Sequence, residues 1–216
     1  MINHFLSELK KKYECKQIDV GDFKEVKIEG SKITIEAFDI DGVGRVSTVE
    51  VIGFLKLWKM QSLIINPLEK DAPIYYYHRH NRKGRDICKI EVLDMLLEVR
   101  EFPEFNPVLE KYADIQDLED KPNWYDEIKM PSCILKAVKK NENAKLDEVA
   151  KDHFAAYMQV IENSPVCGKA RKKECVKEFT DGLVEESGIA VLQLFRSYYK
   201  KYIAKALCLD ILFGMR

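Results

Sequence analysis

The sequence predicts an α+β fold in which helices pack on an antiparallel sheet. Short apolar strand patterns separated by tight turns fill the first half of the chain, and helical patterns follow from Leu146 onward. Strands followed by helices are typical of α+β proteins. With 216 residues, of which 46% are hydrophobic and 33% charged, the chain can bury a sizeable core. We expect one domain over residues 1–216.

The strand predictions depend on apolar residues that alternate between turn signals. Ile33, Ile35 and Ala37 alternate through KITIEAFDI, which follows the turn at Gly30-Ser31. Partial alternation precedes this strand, and such a series of short strands with tight turns indicates an antiparallel meander. The segment LIINP is apolar enough for a strand covered on both faces. The next predicted strands are RVSTVEV, MQSLII, IYYYHRH and ICKIEVLD.

Helical periodicity marks the N-terminus and most of the second half. Phe5, Leu6 and Leu9 form the apolar side of an N-terminal helix, and Asn106-Pro107 begins a short one. One strand is predicted around residues 133–138. The final helix is predicted to be long and apolar along one stripe. The three C-terminal helices are LDEVAKDHFAAYMQVIEN, GKARKKECVKEFTDGLVEES and GIAVLQLFRSYYKKYIAKALCLDILFG.

Composition and charge argue against several classes of partner. The formal net charge of −1 does not suit nucleic-acid binding, which depends on a strong positive field. No apolar run approaches the roughly 20 residues that span a bilayer, and the N-terminus lacks an apolar signal core. The six cysteines contain no C-x-x-C pair and suit reduced thiols. We therefore expect a cytoplasmic protein with neither nucleic acid nor a membrane among its partners.

Ionisable side chains interrupt strands that should otherwise belong to the core. Glu50, His78, Arg79 and His80 lie among apolar residues and tyrosines in these strands. Burying such groups is costly unless they are paired or used in a reaction. The chain carries no nucleotide-binding loop, dense metal motif or catalytic triad signature. The function must therefore be sought in this block of strands.

Three segments of the chain, taken in order, form a recognisable pattern. The first joins an apolar strand ending in proline to a short loop and two further strands, the second has a tryptophan before a strand, and the third is a closing helix. With this order and spacing the chain resembles the ferredoxin-dependent bilin reductases and their relatives, the red chlorophyll catabolite reductases. The segments are MQSLIINPLEKDAPIYYYH with ICKIEVLD, PNWYDEIKMPSCILKA, and YYKKYIAKALCLDILFG.

The resemblance implies a three-layer α/β/α sandwich with a central antiparallel sheet and C-terminal helices. It implies that a linear tetrapyrrole (bilin) such as biliverdin binds between the sheet and those helices. The pigment would be reduced without a bound flavin, metal or other cofactor, because ferredoxin or flavodoxin would supply the electrons one at a time. Each electron raises the basicity of the pigment, so a positioned acid of the protein must supply protons.

Glu50 and His78 are the candidate catalytic residues. Glu50 lies twelve residues before Ser62, where the resemblance places a catalytic glutamate, and a buried carboxyl holds its proton near neutral pH. Some members of the family have a histidine at the place of Ser62, and a proton-donating aspartate at the place of His78. Histidine titrates near neutral pH and could take the donor role.

Ser62, Tyr76, Arg79 and His80 are the candidate substrate-binding residues. Strand alternation predicts that His80 shares a face with His78 and that Arg79 does not. Arg79 could pair with a carboxylate of the pigment, although a solvated strand end fits it equally well. Tyr76 offers ring surface for a flat ligand, and core packing explains it almost as well.

Two other functions remain open at this point. The missing aspartate at the place of His78 favours a protein of the same fold that binds a bilin or another haem-breakdown product without reducing it, whereas the retained Glu50 favours the reductase. The third hypothesis is an interaction protein whose helical half docks a partner. On this hypothesis Glu50 and His78 are not expected to converge on a cavity. Basic residues in the last helices could steer an acidic electron carrier or form an ordinary solvated face. These residues are Lys169, Arg171, Lys172, Lys173, Lys200, Lys201 and Lys205.

Overall fold

Eight strands among the described residues form one antiparallel sheet. The computed structural model describes residues 1–28, 30–82, 85–94, 100–113, 132–136, 143–186 and 190–215. Strands β3 to β8 are neighbours in chain order, and β1 and β2 pair with successive lengths of the free edge of β3. The strands are β1 Cys15–Ile18, β2 Glu25–Ile28, β3 Ser31–Ile40, β4 Gly44–Ile52, β5 Trp58–Asn66, β6 Ile74–Arg82, β7 Arg85–Leu93 and β8 Ser132–Lys136.

Helices cover both faces of the sheet, because its strands bury apolar residues on both sides. The N-terminal face packs against α1, α2 and α3, and the C-terminal face packs against α4, α5 and α6. This arrangement confirms the predicted α+β fold and its three layers, α/β/α. The helices are α1 Ile2–Lys12, α2 Asn106–Lys111, α3 Asn143–Asn163, α4 Lys169–Glu186, α5 Ala190–Tyr198 and α6 Lys201–Ala206.

Most of the predicted elements are present near their predicted positions. Leu63, Ile64 and Ile65 of β5 are fully buried, so the strand predicted to be covered on both faces is confirmed. The tryptophan-containing segment before β8, with Trp124, lies outside the described residues. Among the described helices, none combines the length and the apolar character needed to cross a membrane.

The prediction of one long final helix is wrong. Helix α5 ends at Tyr198, Lys200 is extended (φ −63°, ψ 150°), and α6 begins at the next residue. The chain then ends in a π-helical turn, Leu207–Leu212. The break changes the direction of the apolar stripe, so that both Phe195 and Phe213 reach the core of the C-terminal face.

Polar side chains of the sheet hold this π-helical turn in place. Arg45 Nη1 and Ser47 Oγ donate to the carbonyl oxygen of Ile211 at 3.0 and 2.9 Å, and Asn66 Nδ2 donates to that of Phe213 at 2.8 Å. The last carbonyls of a helix have no partner within the helix. The buried ends of β4 and β5 supply those partners and thereby fix the C-terminal layer on the sheet.

Candidate functional site

Ser62 and His78 make a polar contact in the middle of the C-terminal face. The two residues are paired across β5 and β6, and Ser62 Oγ lies 3.0 Å from His78 Nδ1. Ser62 is fully buried, whereas His78 is partly exposed. A hydroxyl can donate to an imidazole nitrogen or accept from it, so the direction of this hydrogen bond depends on the tautomer of His78.

Aromatic rings flank His78 along β6. Tyr76 lies on the same face, with 6.1 Å between its ring centroid and that of His78. His80 follows on this face, and Trp58 meets its ring edge-on at 5.8 Å. The predicted shared face of His78 and His80 is confirmed, because residues two apart on a strand point the same way. The structure therefore brings Ser62, Tyr76, His78 and His80 together.

A buried ion pair on β7 adjoins these residues. Lys89 is the cross-strand partner of His78, Glu91 is that of Tyr76, and Lys89 Nζ lies 2.7 Å from Glu91 Oε1. The side chain of Glu91 is 2% exposed and that of Lys89 is 19% exposed. Sequence reasoning missed this pair, although the alternation in ICKIEVLD places both charges on one face of the strand. We call Ser62, Tyr76, His78, His80, Lys89 and Glu91 the polar cluster.

Burial controls the protonation of the polar cluster. Burial, together with the nearby positive charges of His80 and Lys89, lowers the pKa of His78 to about 4. Burial also raises the pKa of Tyr76 well above its usual value, against the opposing effect of its hydrogen bond with Ser62. Both rings are therefore uncharged at neutral pH. Negative charge brought next to His78 would raise its pKa, because it would stabilise the imidazolium.

The structure does not bring Glu50 to the polar cluster. The cross-strand partner of Glu50 on β5 is Gln61, which is the residue before Ser62. Adjacent strand residues point to opposite faces, so Glu50 points to the N-terminal face. Its Oε1 lies 2.7 Å from Gln61 Nε2 and 2.8 Å from Lys59 Nζ, and the side chain is 36% exposed. The expectation that Glu50 and His78 face one ligand is wrong, because the sheet separates them.

Arg79 also points to the N-terminal face, as strand alternation predicts. Its guanidinium donates to Asp86 at 2.7 Å and to Asp147 of α3. Burial alone would lower the pKa of Arg79. The hydrogen bonds with Asp86 and Asp147 outweigh this effect, so the pKa lies above its usual value. Arg79 ties β6 and β7 to α3 and lies on the opposite face of the sheet from His78.

Comparison with known proteins finds a likeness of fold and none of sequence. The sequence matches no protein-family model and no curated protein. The fold is similar to that of phytochromobilin synthase. The crystal structure concerned is that of the selenomethionine protein from tomato in complex with biliverdin. The likeness covers 99% of this chain and 82% of that chain, with a TM-score of 0.75 and 10% sequence identity.

The basic residues of the last helices, which the sequence suggests as a positive surface, do not all lie on the surface. Lys172 is fully buried, and its Nζ donates to carbonyl oxygens of the β5–β6 connection, so it does not contribute to such a surface. Lys201 and Lys205 form ion pairs with Glu185 and Asp181, which reduce the net positive charge of this surface. Two further members have side chains outside the described part of the chain, namely Lys169 and Arg171.

The polar cluster supplies groups for hydrogen bonding and proton exchange. Imidazole, phenol and hydroxyl groups can each donate or accept, and the Lys89–Glu91 pair adds a buried proton donor and acceptor that carry no net charge together. The ring of Tyr76 adds surface for a flat ligand. In the part of the chain that the structure describes, no three His, Cys, Asp or Glu side chains group closely enough to hold a metal ion.

Proposed function

We propose that the protein binds a linear tetrapyrrole against the C-terminal face of the sheet and reduces it with single electrons from ferredoxin or flavodoxin. His78 would deliver protons to the pigment, and Ser62, Tyr76 and His80 would contact it. The observation that carries this proposal is the polar cluster. It lies among apolar residues on the C-terminal face of the sheet, in a fold similar to that of a synthase crystallised with biliverdin.

The protonation of His78 suits a donor that acts only when electrons arrive. Its ring is neutral at neutral pH because burial lowers its pKa to about 4. A pigment that has gained an electron carries negative charge next to the ring, which favours the imidazolium and draws a proton from solvent. The imidazolium then passes that proton to the pigment and returns to the neutral ring. Each reduced double bond takes up two electrons and two protons.

A second function, binding without reduction, has its own support. His78 is uncharged at neutral pH, and Glu50, the other predicted donor, lies on the far side of the sheet. A site with no ready acid would hold a pigment and leave it oxidised. The separation of Glu50 from His78 is also what an interaction protein predicts, so pigment binding itself has to be tested first.

A titration with biliverdin tests pigment binding. We expect the visible absorbance of the pigment to shift and sharpen as the protein is added, because a bound tetrapyrrole is held in one conformation. Ser62→Leu places a larger apolar side chain in the polar cluster and should weaken binding, whereas Glu50→Gln, on the other face, should not. An unchanged spectrum with biliverdin and related open-chain pigments would reject both the reductase and the binding protein.

Anaerobic addition of reduced ferredoxin or flavodoxin to the pigment complex separates the two functions. A reductase bleaches or blue-shifts the pigment, and a binding protein leaves its spectrum unchanged. If reduction occurs, His78→Gln should slow the appearance of protonated intermediates with little loss of binding, because glutamine keeps a polar contact and removes the titrating ring. Equal rates in His78→Gln and in the unmodified protein would reject the donor role.

A further inference from the structure

The connection between β4 and β5 is backbone-strained at two residues that are not glycine. Leu55 has φ +53° and Lys56 has φ +58°, which is the left-handed region that side chains with a Cβ rarely adopt. Three backbone hydrogen bonds close the turn, including Gly53 N to Trp58 O at 2.9 Å. We call residues 53–58 the apolar loop. Its strain persists because its hydrogen bonds and flanking strands impose this shape.

Close packing on two glycines fixes the base of the apolar loop. A Cβ added to Gly53 would lie 2.1 Å from the indole of Trp58, and one added to Gly30 would lie 2.5 Å from the ring of Phe54. Both rings therefore lie directly on backbone. The base of the loop is tightly packed, and the residues between these rings are exposed to solvent.

The tip of the apolar loop exposes large apolar side chains. Phe54 is 56% exposed, Leu55 is 72% exposed and Leu57 is 65% exposed. Exposed apolar side chains of this size, grouped together, are unusual in a soluble monomer and mark interaction sites. The strained turn joins β4 to β5 and also holds Leu55 outward, where a partner outside the chain can contact it.

Three lysines lie within the apolar loop or beside it at this end of the sheet. Lys56 is exposed within it, and the register brings Lys32 and Lys59 to the strand ends beside it, opposite Ile52. Lys32 and Lys59 pair with carboxylates, but both pairs are about half exposed, and such pairs are weak in water. The lysines can therefore turn towards an anionic surface at little cost.

We propose that the apolar loop inserts into the interfacial region of an anionic lipid bilayer. A protein partner usually covers about 800 Å² of a broad face, whereas three side chains on a narrow tip suit insertion between lipid headgroups, with lysines attracted to anionic lipid. This inference changes the expectation of no membrane partner, which rested on the lack of a spanning segment. It does not depend on the proposed pigment site.

Flotation with lipid vesicles tests the inference. The protein should float with vesicles of phosphatidylcholine and phosphatidylserine, and less with vesicles of phosphatidylcholine alone. Leu55→Glu combined with Leu57→Glu should lower the bound fraction by about tenfold or more, because each change puts a charge in place of an inserted leucine. Val166→Glu is the matched control, because Val166 is 78% exposed and borders the cavity at the other end of the sheet.

Leu55→Gly separates binding from folding. Glycine adopts positive φ without strain, so this variant should unfold at a higher temperature and yet bind vesicles more weakly. Lack of flotation of the unmodified protein, or equal flotation of the double glutamate variant, would overturn the inference. So would a dimer measured by light scattering that the double glutamate variant abolishes, because the loop would then be covered by a second copy of the chain.

Discussion

Glu50 and His78 lie on adjacent parts of the same sheet but point to opposite faces. The cross-strand partner of Glu50 is Gln61, and that of His78 is Ser62, so the neighbouring residues of β5 separate the two side chains. A ligand in contact with one of them cannot receive a proton from the other. In the proposed reductase, a proton donor for a pigment on the C-terminal face would therefore have to come from the polar cluster and not from Glu50.

Opposite outcomes are expected for substitutions at these two residues. If biliverdin binds at the polar cluster as proposed, His78→Gln should change its absorbance maximum and reduce the pH dependence of that spectrum, because it removes a titrating ring from the site. Glu50→Gln should leave both unchanged. The measurement is a spectral pH titration of each complex, and a spectral change in Glu50→Gln equal to that in His78→Gln would contradict the assignment of faces.

Ser62→Ala should lower the free energy of unfolding by about 1 kcal/mol, because His78 Nδ1 would lose its partner in a largely buried position. Urea unfolding at neutral pH measures the change. Ser7→Ala on the exposed side of α1 is the control and should change the free energy of unfolding by less than about 0.5 kcal/mol. An equal change in both variants would mean that the Ser62 contact contributes nothing to stability.

Acid should destabilise the protein through His153. Its ring is 1% exposed, 4.7 Å from the ring of Phe105, and burial lowers its pKa from 6.5 to about 4. Between these two values the unfolded chain binds a proton that the folded chain does not, so stability falls as pH falls from 6.5 towards 4. The loss from His153 is about 2 kcal/mol at pH 5.

His153→Phe should reduce this acid sensitivity, since it keeps a ring in the core and removes the titrating group. Urea unfolding at pH 7 and pH 5 measures the difference. The exposed His4 of α1, changed to Gln, is the control and should leave the loss as large as in the unmodified protein. A loss in His153→Phe as large as in the His4 variant would show that other groups cause the acid sensitivity.

Arg45→Met should release the C-terminal turn. Arg45 Nη1 donates to the carbonyl oxygens of Asp210 at 2.6 Å and Ile211 at 3.0 Å, and methionine cannot replace these bonds. We expect a loss of about 2 to 4 kcal/mol and faster amide hydrogen exchange in residues 207–213. Exchange in α3, on the other face, should change less. Lys16 is exposed and lines the same surface cavity as Arg45, and Lys16→Met should leave the exchange unchanged.

The fold could be predicted from alternation and periodicity, but the site only in part. Alternation along one strand is enough to place His78 and His80 together, because it needs no knowledge of the neighbours. The position of Glu50 depends on the pairing of β4 with β5. In this pairing a residue of β4 and a residue of β5 share a face only when their residue numbers differ by an odd number. The spacing of twelve from Glu50 to Ser62 is even. The β4–β5 connection sets this register, and its strained shape leaves no clear signal in the sequence.

The buried groups that sequence reasoning missed have a similar explanation. Lys89 and Glu91 look like the solvated side of a half-buried strand, and only the tertiary structure shows that this side is covered. Lys172 looks like part of an exposed basic helix, and only the β5–β6 connection, distant in sequence, covers it. The break in the final helix likewise interrupts a continuous helical pattern, and no residue of that pattern marks its position.

The C-terminal face has a consequence for synthesis of the protein. Its covering helices and π-helical turn all follow β8, the last strand that the structure describes, so the apolar side of the sheet is translated long before its cover. A nascent chain on the ribosome would expose Ile35, Val49 and Ile64 until residues beyond 207 emerge. Exposed sheet surface of this kind aggregates, so we expect the newborn polypeptide to need a chaperone during that interval.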